Sequence, residues 1–435
     1  MNRGELTRLE RELREYLDGM VEGMGRKERK AAMRNYVVGL LLDGERKSVE
    51  PMAARLVDSP KQVGAMRQRL LDCVGKADWA ESEVLRRLAL KLEHELPGIE
   101  ALVVDDTGFP KKGDLSVGVS RQYSGTLGRT DNCQVATSLH LAGEQGSGCI
   151  AFTVYLPESW TDDRERCRVA GVPDEIEFRR KWEISLAQID EALKWGVRRH
   201  IVLADAGYGD CSEFREGLRE RGLNYGVGIQ STLLVWPPQS RPAQPKRKPG
   251  QIGRPPTRYE DARHPPVAVG VLSRQLEYRG VSWREGTRGM QRSRFAAVRV
   301  RTAHHHSKGA APSEEQWLLC EWPDGDDGPT KHWLSTLPAT TSLRALVRTC
   351  KLRWRVERDY QDLKGELGLD HYEGRSWRGF HHHAALCALA HGFLALRRAL
   401  FPPEEDELDA SPGAQSPPVR SPSDAGLLPS LQPSL

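Results

Sequence analysis

The chain has 435 residues, 38% of them hydrophobic and 29% charged, with a formal net charge of +4. That length suits two or three domains, and that composition suits an ordinary globular protein. No apolar run approaches the roughly 18 residues of a membrane helix, and eight cysteines without a CxxC pair argue against a disulfide framework or a zinc site. The opening MNRGELTRLERELREYL is charged and amphipathic and lacks a signal-peptide core, so a cytoplasmic protein is expected. Beyond Leu400 the chain carries six acids against Arg420, so the rest is more basic than the net charge suggests. Such a surplus suits a polyanionic partner such as nucleic acid.

Residues 1–97 read as a helical domain. Apolar positions recur at helical intervals over residues 20–42 and 80–96, and Asp58-Ser59-Pro60 opens another helix. Short helices joined by tight turns form either a DNA-end reader or a cap on the next domain. From Gly98 the texture changes. Residues 101–105 are a short apolar strand ending in an acid, followed by a Gly/Lys loop over residues 107–113. Strand-like runs follow at 133–141 and 150–156, and then a helix at 177–195. A second apolar run, 200–205, also ends in an acid, before a helix at 212–221 and a strand at 225–229. This is an α/β layout with a mixed sheet, in which ligands gather at the carboxyl ends of strands.

From Pro237 the chain is rich in Pro and Arg and reads as a loop; residues 264–338 alternate apolar and polar positions, an antiparallel β texture. A helix from about Leu343 carries CKLRWRVERDYQDLK, and residues 380–400 read as a closing buried helix. The tail 401–435 is acidic, rich in Pro and Ser, and expected to be disordered. The divisions are therefore 1–97, a core of 98–235 with 340–400, a basic loop and β-rich insertion at 236–339, and the tail.

Two strand-end aspartates, Asp105 and Asp205, and a helical glutamate, Glu357, are the donor set that two-metal phosphoryl transfer requires. Arg353, Glu357 and Lys364 fall at i, i+4 and i+11, which on one continuous helix places them in a narrow arc. The segments VVDDTGFPKKG, LADAGYGD and CKLRWRVERDYQDLK resemble DDE transposases of bacterial insertion sequences, in the family numbered 701. The group to which that family is related has a third motif that reads Tyr-x2-Arg-x3-Glu-x6-Lys. Arg353, Glu357 and Lys364 match its spacing, and Cys350 stands at the tyrosine position. Asp105 and Thr107 match Asp-x-Thr; Asp205, Gly207 and Tyr208 match Asp-x-Gly-Tyr. Residues 120–125, 132–135 and 160–167 also look like that family.

The resemblance implies a ribonuclease-H-like core in which Asp105, Asp205 and Glu357 are catalytic and hold two Mg²⁺ ions, with Mn²⁺ able to substitute. It implies Arg353 and Lys364 as phosphate contacts, and Tyr208, Lys111 and Lys112 are further candidate DNA contacts. The expected activity is cleavage of double-stranded DNA at terminal inverted repeats and joining of the freed 3′-hydroxyl to target DNA. A homodimer assembled on DNA, in the bacterial cytosol with the nucleoid and with no membrane partner, is expected. A nuclease of the same fold without strand joining and a silent DNA-binding regulator are the alternatives.

Each residue also has a plainer reading. Asp106 competes with Asp105, but adjacent strand residues face opposite sides and the Asp-x-Thr register favours Asp105. Asp205 could be a turn residue, with Asp210 capping the helix that follows. Asp359, Asp362 and Glu366 rival Glu357 from other faces of its helix. Arg353 and Lys364 could be salt-bridge partners, Tyr208 could pack, and Lys111 and Lys112 could solvate a loop. Trp283, Trp317, Trp322 and Trp333 are core candidates before they are base-capturing ones. Gly253-Arg254-Pro255 reads as a linker or a minor-groove hook, and the runs 304–306 and 381–383 as structural or solvated histidines.

Overall fold

Five helices form where apolar residues recur at helical spacing: α1 (Arg3–Val21), α2 (Lys27–Leu41), α3 (Val49–Arg55), α4 (Pro60–Gly75) and α5 (Glu81–Glu95). Pro60 opens α4 behind Ser59, whose extended backbone is the usual entry to a helix. Then follow β1 (Ile99–Pro110), β2 (Ser120–Ser124), β3 (Arg129–Gly143), β4 (Ser147–Val154), α6 (Glu158–Thr161), α7 (Arg164–Val169) and α8 (Lys181–Trp195). Gly196, at φ 102°, ends α8 in a left-handed conformation that a side chain would strain. The chain continues through β5 (Ile201–Ala204), α9 (Ala206–Gly209), α10 (Ser212–Glu220), β6 (Tyr225–Ile229), β7 (Leu234–Trp236), β8 (Val267–Ala268), α11 (Val269–Ser273), β9 (Arg279–Gly286), β10 (Gly289–Thr302), β11 (Gln316–Trp322) and β12 (Lys331–Ser335). It closes with α12 (Leu343–Lys351), α13 (Trp354–Gln361) and α14 (Trp377–Leu400). This computed structural model describes residues 3–125, 128–244, 258–286, 289–303 and 311–400. The Gly253-Arg254-Pro255 stretch, the 304–306 histidines and the tail lie outside them.

Two units emerge from the contacts. The first comprises Met1–Ile99, Asp106–Arg198 and Arg355–Leu435; the second comprises Glu100–Asp105 and Arg199–Trp354. In the second, β1 pairs in parallel with β5, and β5 with β6. Antiparallel pairing then runs from β6 through β12 and β11 to β10, which also pairs with β7 and β9. This is a mixed sheet, and the β-rich stretch after Pro237 supplies its antiparallel part. In the first unit β2, β3 and β4 form an antiparallel meander.

The sequence-based division sets residues 1–97 apart, whereas the N-terminal helices share a unit with α14. The reason is the composition of α14. Residues Gly379 through Leu396 are all buried, so this helix needs cover on every side. It packs on β4, α5, α2 and α4. Each fully buried Leu contributes about 1.5–3 kcal/mol, and Leu386 and Leu389 are both fully buried. Among the described residues no helix is long and apolar enough to cross a membrane.

The 381–383 histidines prove structural. His383 lies between the Tyr36 hydroxyl, 2.9 Å from Nδ1, and the Gly368 and Leu369 carbonyls, each 3.2 Å from Nε2. The neutral ring satisfies all of them, accepting from Tyr36 at Nδ1 and donating from Nε2. Burial pulls its pKa from the ordinary 6.5 down to about 4. The unfolded chain therefore binds a proton that the folded chain refuses, and stability is lost as pH falls from about 6.5 towards 4. Thermal melting between pH 7 and 4.5 should show this decline, and His383→Gln, which keeps a donor and an acceptor, should flatten it; an unchanged slope would count against a neutral His383.

Candidate active site

The parallel ladder between β1 and β5 pairs Ala101 with Ile201, Leu102 with Val202 and Val103 with Leu203. Asp105 and Asp205 each lie two residues beyond the last of these pairs, Asp105 within β1 and Asp205 directly after β5. Such strands lie about 4.8 Å apart, and level residues point to the same face. Both aspartates belong to the second unit.

Asp105 is only 9% exposed and accepts a 2.7 Å bond from Nη1 of Arg353. Asp106 is turned elsewhere and pairs with Lys181 in the first unit, as alternation along a strand requires. β1 itself runs on to Pro110, so the expected loop at 107–113 is strand for its first half. The apolar Phe109, which is buried, and the pairing of β1 with β3 carry the strand past the glycine.

Asp205 caps α9. Its Oδ1 accepts from the Gly207 N–H at 2.9 Å and the Tyr208 N–H at 3.3 Å. Asp205 thus caps α9, not the helix for which Asp210 was the expected cap, and its Oδ2 stays outside those cap bonds. The residue preceding α10 is Cys211, and Asp210 instead accepts from the Gln230 N–H at 3.0 Å. The glycines of this motif are dictated by close approach: a Cβ on Gly209 would stand 1.9 Å from the Gly228 carbonyl oxygen of β6. Tyr208 is buried with its ring 5.6 Å from that of Phe214, so in this structure it packs rather than facing DNA.

The stretch expected as one helix is three pieces. α12 stops at Lys351, Leu352 and Arg353 form a turn, and α13 runs from Trp354 to Gln361. A widened π-type turn follows over Asp362–Glu366, closed by the bond from the Leu367 N–H to the Asp362 carbonyl at 3.1 Å. The arc of i, i+4 and i+11 is therefore not that of a continuous helix. Arg353 precedes α13 and binds Asp105, whereas Lys364 donates from within the π-type turn to the Gly108 carbonyl at 2.9 Å, with its ammonium 5.2 Å from the centre of the Phe109 ring. Burial lowers its pKa. Glu357 is exposed on α13 and falls in the first unit.

Cys350, at the family's tyrosine position, is a core residue among Val281, Phe295, Leu319, Leu346 and Val347. Burial pushes its thiol up to about 12, far from a reactive thiolate. Lys111 is half-buried and donates to the Tyr372 carbonyl at 3.1 Å, whereas Lys112 is exposed. The tryptophans act as packing residues: Trp283 and Trp333 flank the Lys351 ammonium at 4.8 and 5.3 Å, Trp317 donates to the Pro338 carbonyl, and Trp322 to that of Asp326.

Among the described residues no group of three or more His, Cys, Asp or Glu is gathered as a preformed metal cage. The three acids nevertheless supply only carboxylate oxygens, the chemistry that hard divalent cations prefer. Magnesium keeps several waters and takes few protein ligands, so an open pair of carboxylates fits it better than it fits zinc. A feature missed at the sequence level is a buried network around Asp359. That carboxylate accepts from Ser147 at 2.6 Å and from His140 at 2.7 Å.

A model of the DDE superfamily endonuclease family matches residues 19–290. The probable transposase for insertion sequence element IS701 from Microchaete diplosiphon is 34% identical over 203 residues, covering 46% of this chain and 48% of that protein. The chain thus spans about half the length of the curated relative it matches. The family match contains Asp105 and Asp205 and ends before Arg353 and Glu357.

Two substitutions test the packing of the motifs. Gly209→Ala drives a methyl into the β6 backbone and should lower stability by about 1–3 kcal/mol or more; a melting temperature equal to the parent's would refute the close approach. Cys350→Tyr forces a phenol ring into a position where a Cβ on Gly226 would already stand 3.1 Å from the sulfur. It should destabilise more than Cys350→Ala, as read from chemical denaturation; the reverse order would mean that the site opens to solvent.

Proposed function

Because the chain belongs to the DDE superfamily endonuclease family, we propose that it is a DNA transposase. It cleaves double-stranded DNA at terminal inverted repeats and joins the freed 3′-hydroxyl to target DNA. The observation that supports this best is the parallel β1–β5 pairing through Val103 and Leu203, two residues before Asp105 and Asp205. The sheet supports a ribonuclease-H-like core: β1, β5 and β6 run parallel, and an antiparallel meander of β2, β3 and β4 belongs to the same chain.

Asp105, Asp205 and Glu357 are the proposed ligands for two Mg²⁺ ions, with Mn²⁺ as a substitute. Bound there, such ions supply positive charge that activates the attacking oxygen and stabilises the leaving one. The protein's own groups do the rest. The cap bonds from Gly207 and Tyr208 fix the Asp205 carboxylate on its strand end. Arg353 neutralises Asp105 at rest and is the group best placed to turn to a phosphate when that aspartate takes a cation. Exposed Lys112 contacts the DNA backbone, while Lys111 and Lys364 hold the strand-end segment 108–111 in place from half-buried positions. Two element ends require two active copies, so a homodimer on DNA, in the cytosol with the nucleoid, completes the proposal.

The test uses a duplex carrying the inverted repeats that flank the gene, with Mg²⁺. Asp105→Asn, Asp205→Asn and Glu357→Gln should each reduce cleavage about 100-fold or more, the loss of several kcal/mol of charge stabilisation. DNA binding, measured in Ca²⁺, should persist and weaken steeply with salt. Full cleavage by Glu357→Gln would remove it from the site. Cleavage without joining would indicate a nuclease, and binding without cleavage a regulator.

A further inference from the structure

α13 is eight residues long, too short to hold its own orientation, and it is flanked by a turn on one side and a π-type turn on the other. Something else must aim Glu357. Its inner face supplies the means: Val356 and Asp359 are buried, whereas Glu357 and Arg358 are exposed. Two residues along a helix turn the direction by about 200°, so Asp359 points inward as Glu357 points outward.

Asp359 is 3% exposed and meets three groups of the first unit. Ser147, at the start of β4, donates to Oδ1 at 2.6 Å; His140 of β3 lies 2.7 Å from Oδ2; and His391 of α14 approaches to 3.6 Å. The neighbouring Tyr360 hydroxyl lies 2.6 Å from the Ser138 hydroxyl, which in turn lies 3.0 Å from Nε2 of His140. The β3–β4 register slips between Leu139 and His140, a bulge that re-aims the imidazole. Arg355 adds a bond to the Gly143 carbonyl at 3.0 Å. Burial opposes charge on both His140 and Asp359. It is outweighed at His140 by Cys149 and Asp359, and at Asp359 by His391 and His140, so the imidazole is raised and the carboxyl lowered.

Ser138, His140 and Asp359 have the connectivity of a hydrolytic triad, but Ser138 and His140 are fully buried, so no substrate reaches the hydroxyl. The network's free degree of influence is the helix it grips. We propose that the Asp359 network, with His140, Ser147 and the Ser138–Tyr360 pair, is the positioning element that sets the direction of Glu357. This rests on Glu357 being a metal ligand, as proposed above. Asp359 is thus a positioning residue, acting through Glu357.

The test compares full-length Asp359→Asn, Tyr360→Phe and Glu357→Gln with the parent protein. The readouts are cleavage of the inverted-repeat duplex, Mn²⁺ binding by calorimetry in the presence of uncleaved duplex, DNA affinity in Ca²⁺, and melting. Asp359→Asn should weaken Mn²⁺ binding and cut the cleavage rate by about 10- to 100-fold, with DNA affinity unchanged within a factor of about two. Tyr360→Phe removes one hydroxyl and keeps the ring, so it serves if Asp359→Asn leaves His140 without its counter-charge and the protein fails to fold. Its expected change is smaller but in the same two quantities. A lower melting temperature with Mn²⁺ affinity and cleavage rate both at parental values, in every variant that folds, would overturn the proposal and leave the network as core stabilisation. Parental cleavage by Glu357→Gln would instead overturn the site assignment, and this inference with it.

Discussion

A carboxylate buried within a strand is costly unless a cation answers it, because its lost hydration amounts to several kcal/mol. In this chain Arg353 answers Asp105, and much else depends on that pair. It lets β1 carry an acid with little solvent around it, and it holds the Leu352–Arg353 turn that follows α12. A guanidinium on one carboxylate oxygen also sets the terms for any metal ion, which must compete with a tethered positive charge. On the proposed function, that competition ties metal loading to the residue next to the glutamate's helix.

The basic surplus that suggested a polyanionic partner is partly spent inside the protein. Lys111 and Lys364 bind backbone carbonyls, Lys351 lies among aromatic rings, and Arg355 donates to Gly143. Net charge is an additive property of the whole chain, whereas DNA sees only what remains on the surface. The exposed Lys112 carries more weight for phosphate contact than its half-buried neighbour, a distinction that composition could not make.

Local signals and long-range ones were unequally legible. Apolar runs closed by Asp105 and Asp205 marked β1 and β5, because a buried parallel strand is a continuous hydrophobic segment and needs no partner to be recognised. The alternating pattern after Pro237 likewise marked the antiparallel strands. The break at Leu352–Arg353 left no such trace: there is no proline or glycine there, and the turn exists because Arg353 reaches a residue 248 positions earlier. For a related reason Asp210 does not cap α10, since it is taken by the Gln230 N–H, twenty residues further on. Asp359 read only as a rival of Glu357 on another face of its helix, because its partners lie on β3, β4 and α14, more than 200 residues away on two of those three elements.

The π-type turn after α13 changes what the motif's spacing measures. A π-type turn is an α-helix with one residue too many, and that extra residue advances everything downstream by about 100° around the axis. Six residues between the glutamate and the lysine therefore encode reach rather than phase: the spacing is the length of chain needed to bring an ammonium back to the Gly108 carbonyl. Deleting Leu363 would relax the turn into ordinary helix and swing that ammonium away, with Arg353, Glu357 and Lys364 all still present. Alignments that tolerate a one-residue gap there would score such a chain as intact, although its lysine would no longer hold the strand.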